Sequence, residues 1–326
     1  MTDKNRMVKR RNHSGVIKFI YFSAGMVNCF GEFMKRWYRD TGLQARMFLT
    51  MFLLAMVYLA FIAFLLTQGV GTVGIVAFAG FFLFVQYFFS DRLVLWSMGG
   101  RVVSESEEPE LHGIVDRLSQ LADLPKPRIA VVKSSVPNAF ATGRSKNNAV
   151  VAVTTGIMRQ LDRSELEAVL AHELSHVKNR DVLVITIASF LSTVAFFLVR
   201  NLLFFGMMGR DRRESGGMVV VWIVSVLVWL VSLLLIRALS RYREFSADRG
   251  AAVITGQPAH LASALMKISG AMDRVPKDDL RKVEGMNAFF IVPAVSGDTL
   301  MGLFSTHPRV EQRISRLEEM QRRMEF

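Results

Sequence analysis

Apolar residues make up 51% of the 326-residue chain and its mean hydropathy is +0.31, a balance that weighs against an ordinary water-soluble domain and makes a membrane protein the first expectation. The single cysteine, Cys29, excludes an intrachain disulfide, so a catalytic metal would have to be caught by imidazole and carboxylate groups. The formal charge of +12 is concentrated at one end: residues 1–46 hold ten Lys or Arg against three acids, and beside an apolar span such a patch faces anionic lipid and fixes orientation rather than gripping nucleic acid.

Residues 1–42 read as a basic arm. Within it, residues 16–37 carry Lys18, Asn28, Glu32 and Arg36 on about a third of the helical circle, the pattern of a helix lying flat at the membrane interface. Residues 43–99 read as a first transmembrane hairpin. Residues 47–67 are an uncharged run of 21, which as a helix covers about 30 Å, the thickness of a bilayer core. Residues 70–89 form a second run after a turn of Gln68 and Gly69. Both outer ends then lie on one side, and the flanking Arg46, Arg92 and Arg101 place that side in the cytoplasm.

Residues 100–181 look soluble and mixed, the first part of a catalytic domain. Leu111, Val115, Leu118 and Leu121 have helical spacing over 108–122, with Pro109 tolerable in the first turn. Strands are expected over 128–133, 139–142 and 149–154, from β-branched content and the turn at Gly143. Ser164 followed by Glu167 fits a capping box, so a helix is expected from there through Asn179. That helix carries His172-Glu173-Leu174-Ser175-His176, an HExxH motif. Four-residue spacing puts both imidazoles on one face a turn apart, where one tetrahedral zinc can take both. Glu173 sits about 100° round, beside the metal without binding it, placed to deprotonate a water.

A catalytic zinc keeps three protein ligands and one open position. The residues straight after His176 offer no third histidine, so that ligand must come from farther on. Uncharged runs at 182–199 and 217–236 read as a second membrane hairpin, over 182–239, although its turn carries four arginines and two acids between residues 200 and 214. Residues 240–326 read as the second part of the catalytic domain. Here Glu244 opens Glu-x-x-x-Asp, ending at Asp248, on an expected helix; Asp248 would hold a ligand histidine. Spacing alone leaves Glu244 open between a third ligand and a solvated acid among Arg241, Arg243 and Arg249. Topology favours the ligand, because an out-and-back excursion returns Glu244 to the side where the His pair was left. Residues 258–272 form an amphipathic helix, 276–305 mostly loop, and 308–324 a charged terminal helix. His13, His112 and His260 match no motif and read as surface or packing residues.

Several segments together resemble the HtpX family of membrane zinc endopeptidases and, more distantly, the CAAX prenyl proteases. They are the paired apolar helices, Pro137-Asn138-Ala139-Phe140-Ala141-Thr142-Gly143, the HELSH helix with Asn179-Arg180-Asp181, Glu244-x-x-x-Asp248, and Phe304-Ser305-Thr306-His307-Pro308 with Arg313-Ile314. The resemblance implies a gluzincin-type domain with one zinc per chain, held by His172, His176 and Glu244, and Glu173 as general base. It also implies that Asn138, Ala139, Phe140 and Ala141 form an edge strand binding extended substrate through its backbone, and that His307 steadies the tetrahedral oxyanion; a helix-capping role before Pro308 is the alternative for His307.

The fold expected is therefore α+β, mostly helical: an integral membrane protein with about four transmembrane helices and a metalloprotease domain containing a small β-sheet. The function expected is hydrolysis of peptide bonds in membrane or misfolded proteins at the cytoplasmic face of the inner (plasma) membrane, with no nucleic-acid partner. A narrower prenyl-protein processing protease and a non-catalytic scaffold that keeps a metal are the competing readings. A channel would need ionisable groups inside the spans, and these runs have none.

Overall fold

The computed structural model describes residues 40–67, 80, 81, 84, 88, 94–208, 215–272 and 307–324. The expected interfacial helix, most of the apolar run 70–89 and the loop 276–305 lie outside the described residues.

The first helix, α1 (Thr41–Thr67), begins where the Asp40 side chain accepts the backbone N–H of Leu43 at 2.9 Å, satisfying one orphan donor of the first turn. Along its length Phe48, Leu49, Phe52, Leu53, Met56, Leu59 and Leu66 are exposed, as a lipid-facing surface requires. Residues 45–326 form one compact unit.

Its mixed sheet holds β1 (Gly100–Val102), β2 (Arg128–Val132), β3 (Ala139–Thr142) and β4 (Val150–Thr154) in the order β1-β2-β4-β3. β2 and β4 run parallel and the outer strands antiparallel to them. All of β4, Val-Val-Ala-Val-Thr, is buried, the continuous apolar composition of a central strand covered on both faces. On one face Val151 and Val153 meet α2 (Pro109–Leu121) through Leu111, Val115 and Leu118, and α4 (Arg163–Lys178) through Val169, Leu170 and Leu174. Leu261, Leu265 and Ile268 of α7 (Pro258–Met272) and Leu317 of α8 (Val310–Met324) join that core. Two short elements escaped the sequence reading: β1, with three residues too brief for an alternation to be seen, and α3 (Thr155–Gln160), capped by the Thr154 hydroxyl at 3.2 Å from the Ile157 N–H.

The start of α4 corrects an expectation. The capping box is Asp162 with Glu165, both reciprocal bonds at 3.0 Å, and not Ser164 with Glu167. Tertiary contacts choose between the two overlapping patterns: Glu165 is buried and also accepts from Ser263 Oγ at 2.6 Å and Lys267 Nζ at 2.7 Å on α7, whereas Glu167 pairs with Arg117 on α2.

After α4 the chain breaks at Arg180, whose φ of 56° lies in the left-handed region, and continues as α5 (Asp181–Met208), bent by 56° from α4. It returns as α6 (Ser215–Thr255), a 41-residue helix that runs unbroken from the second apolar run into the segment carrying Glu244. Tyr58 of α1 donates to the Ala188 carbonyl of α5 at 2.6 Å, and small clusters of Leu54, Tyr58, Ala188 and Leu239, then of Phe61, Leu65, Ala195 and Val221, tie α1, α5 and α6 together. Among the described residues two helices, Thr41–Thr67 and Val219–Thr255, are long and apolar enough to cross a membrane, three if the bent pair α4 and α5 is one broken span.

Candidate metal centre

Three helices converge on one buried cluster. His172 and His176, one turn apart on α4, aim their Nε2 atoms at each other across 3.1 Å. From α6, Glu244 Oε1 lies 3.4 Å from His176 Nε2, and Oε2 lies 3.6 Å from His172 Nε2. Taking one donor atom from each residue, those of His172, His176 and Glu244 all lie within 4.8 Å of one another, close enough to converge on a single ion. Glu244 is 7% exposed, yet its Oε2 accepts no hydrogen bond among the described residues.

The outer ring nitrogens face carboxylates, which turns the inner ones toward each other and, for His172, toward Arg313 Nη2 at 3.5 Å. Asp181 Oδ2 lies 2.5 Å from Nδ1 of His176, and Asp248 Oδ1 lies 3.0 Å from Nδ1 of His172. With the Nδ1 protons facing carboxylates, both Nε2 lone pairs point into the same space, an arrangement that repels unless a cation sits between them. The same charges act on His172: burial alone would push its imidazole down, but the carboxylates of Asp248 and Glu244 outweigh burial and push it up. The donor set, two imidazoles and a carboxylate, suits zinc.

Each supporting carboxylate is in turn held by a buried arginine. Arg243 on α6 pairs with Asp181. Arg313 on α8, 1% exposed, donates to Asp248 through Nε at 2.9 Å and Nη2 at 2.6 Å, and its Nη1 lies 3.4 Å from Glu244 Oε2. Burial works against that guanidinium's charge, but Asp248 and Glu244 hold it above its ordinary range. Arg316, one turn on, lies 3.8 Å over the Phe245 ring, so α8 docks on α6 through two arginines. The approach of α4 to α6 is set by Gly250, where a Cβ would meet Ser175 Oγ at 2.4 Å.

Glu173, 4% exposed, lies next to the ligand face; burial pushes its carboxyl above the usual carboxylate range, and it receives the backbone N–H of Ala141. That bond joins β3 to the site. Asn138 pairs with Thr154, its N–H on Thr154 Oγ1 and its carbonyl on the Thr154 N–H, both at 2.9 Å. In an antiparallel ladder successive residues alternate in direction, so Asn138 and Phe140 turn their backbone groups toward β4 while Ala139 and Ala141 turn theirs to the open edge. The Phe140 side chain packs beneath the sheet with Leu95, Ala130 and Val132. His307 enters ahead of α8, with Nε2 3.9 Å from Glu244 Oε1, and burial pushes its imidazole below the usual range.

The structure thus brings together His172, Glu173, His176, Glu244, Asp248, His307 and the strand Ala139–Thr142. Sequence reasoning overlooked the roles of Asp181 and Arg243, and placed Arg313 in a motif without foreseeing its burial. His112 is buried, its Nε2 3.2 Å from the Val103 carbonyl, as a packing residue would be.

The chain is similar to known proteins. The family model for peptidase family M48 matches residues 105–321. The chain is similar to "Protease HtpX homolog 2" of Methanosarcina mazei, 67% identical over 291 residues that cover 89% of this chain and 99% of the relative. It is also similar to "Protease HtpX homolog" of Moorella thermoacetica, 60% identical over 289 residues, 88% and 97% of the two chains. The crystal structure of S. mikatae Ste24p has a similar fold, with a TM-score of 0.52 at 17% identity over 86% of this chain and 67% of that one. With an HExxH helix, a converging glutamate and two apolar membrane-length helices in place, the chain belongs to peptidase family M48, as an HtpX-like membrane metalloprotease.

Proposed function

We propose that the chain is a zinc endopeptidase in which His172, His176 and Glu244 hold one ion, Glu173 is the general base, and the substrates are membrane or misfolded proteins. The observation that carries this reading is the convergence of two imidazole nitrogens, 3.1 Å apart, with the Glu244 carboxylate, whose Oε1 lies 3.4 Å from one and Oε2 3.6 Å from the other. When bound, zinc supplies Lewis acidity to a peptide carbonyl and to a water. Glu173 takes a proton from the attacking water and passes it to the leaving amine; burial, which raises its proton affinity, suits it to both transfers near neutral pH. His307 donates toward the oxygen that gains negative charge. Asp248 and Asp181 keep the Nδ1 protons in place and the Nε2 lone pairs inward.

Substrate would lie extended along β3, using the outward backbone groups of Ala139 and the outward carbonyl of Ala141, while the Ala141 N–H is engaged by Glu173. The basic flanks of the first apolar hairpin, Arg46 before it and Arg92 and Arg101 after it, support an orientation with the site at the cytoplasmic face of the plasma (inner) membrane. Replacing Glu173 by Gln tests the reading in purified protein. Zinc content should stay at one per chain while peptide hydrolysis falls by about 10²- to 10⁴-fold; undiminished hydrolysis would remove Glu173 from the mechanism.

A further inference from the structure

Beyond the end of β3 lies a shallow cleft, open to solvent, with the metal-site residue His176 in its wall. Its other walls are the turn after β3, with Arg144 and Lys146, and the break between α4 and α5, with Arg180. The turn is closed tightly: Gly143 has φ 135°, and a Cβ there would meet the Asn148 carbonyl oxygen at 2.4 Å, so only glycine lets the chain fold back and present the two cations. Opposite, Arg180 sits in the left-handed conformation just past a helix end, where Gly or Asn is the usual occupant. A strained backbone kept at a charged residue that lines a cleft is the kind of local cost retained for function.

These cations are available. Among the described residues neither Lys146 nor Arg180 has an acidic partner, and Arg144 meets the Phe88 ring with its guanidinium carbon 5.3 Å from the centroid. Among the described residues Asp181 is the one acid in the cleft wall, and it is engaged by Arg243 and His176. Val182 and Leu183, at the positive end of α5, complete that side. A peptide extended along β3 and continuing past Thr142 runs into this positive pocket.

Building on the protease reading, we infer that this cleft is a specificity subsite for a substrate carboxylate, from an acidic side chain near the scissile bond or from the chain's C-terminus. Arg144, Lys146 and Arg180 would select it by charge, with Arg144 and Arg180 able to grip it through two parallel N–H donors.

The test uses full-length zinc-loaded protein in neutral detergent and fluorogenic peptides sharing one uncharged frame. Asp, Ala or Lys is placed in turn at each position from three before to three after the cleaved bond, and each peptide is made with a free or an amidated C-terminus. The expected result is a kcat/KM ratio for Asp over Lys of roughly tenfold or more at one position, weakening with salt. The double variant Arg144→Glu with Lys146→Glu should invert that ratio. Arg180→Gly, which removes charge while relieving the backbone, should reduce it. Since the ratio is taken within each variant, a general loss of turnover cancels. A preference confined to free C-termini assigns the cleft to the terminal carboxylate. Equal ratios at every position, ratios unmoved by either variant, or activity that follows the anionic lipid content of vesicles rather than peptide charge would overturn the proposal; the last would give these cations to lipid headgroups. Failure to cleave any peptide, the Ala frame included, would count instead against the protease reading, and this proposal would fall with it.

Discussion

The two halves of the metal centre are built in opposite ways. The α4 half, His172, Glu173 and His176, is local: one helix with four-residue spacing places all three groups, and a capping box of Asp162 with the buried Glu165 fixes its start. The α6 half, Glu244 and Asp248, reaches the same point only after α5 and α6 have led the chain away and back, and it is clamped there by Arg313 from α8 and by the close passage of Gly250 over Ser175. The contrast teaches that the groups proposed for water activation are placed within a single turn of helix, whereas the completeness of the proposed metal shell is a property of tertiary packing. Each half can be disturbed separately.

The largest effect on stability is expected at the clamp. Arg313→Ala leaves the buried Asp248 with His172 but without its guanidinium partner, and breaking a buried ion pair of this kind costs about 3–5 kcal/mol. Thermal unfolding of the zinc-free protein should show a large drop in the midpoint, with the α4 helix sequence untouched; a drop no larger than that of a surface Arg→Ala control would mean that α8 does not hold α6 in place. Next comes Asp248→Asn, which keeps shape and removes charge. It should weaken zinc binding by about 10- to 100-fold in competition with a chelator, and unchanged affinity would leave Asp248 serving Arg313 alone. The smallest effect belongs to the local half: Asp162→Ala removes the α4 cap and should cost about 1 kcal/mol, while Ser164→Ala, at the alternative cap, should be near neutral. Equal losses in the pair would contradict the observed start of α4.

The same contrast decides what could be read from the chain beforehand. The HExxH helix, the strand Ala139–Thr142 and the helix Pro258–Met272 were legible because their signals are local: a four-residue spacing, β-branched runs beside a glycine turn, an amphipathic period. The start of α4 was not, because Asp162-x-x-Glu165 and Ser164-x-x-Glu167 satisfy the same pattern, and the choice rests on Ser263 and Lys267, about a hundred residues away in the chain. Arg313 lies on a helix of high charge, where an arginine is expected to face solvent; it is buried because Asp248 waits 65 residues upstream. Asp181 was visible only as part of a family motif, since its pairing with both His176 and Arg243 depends on the break at Arg180 and the return of α6. Glu244 was left open on spacing and favoured on topology, and the geometry places it against both imidazoles.

The central claim is that one ion bridges the local half and the returning half. Zinc stoichiometry with X-ray absorption at the zinc edge, on wild type and on Glu244→Ala, tests it most directly. The account predicts one zinc per chain with two imidazole nitrogens and a carboxylate in the wild type, and a lowered zinc content without the carboxylate contribution in the variant. An identical spectrum and full occupancy in Glu244→Ala would contradict it.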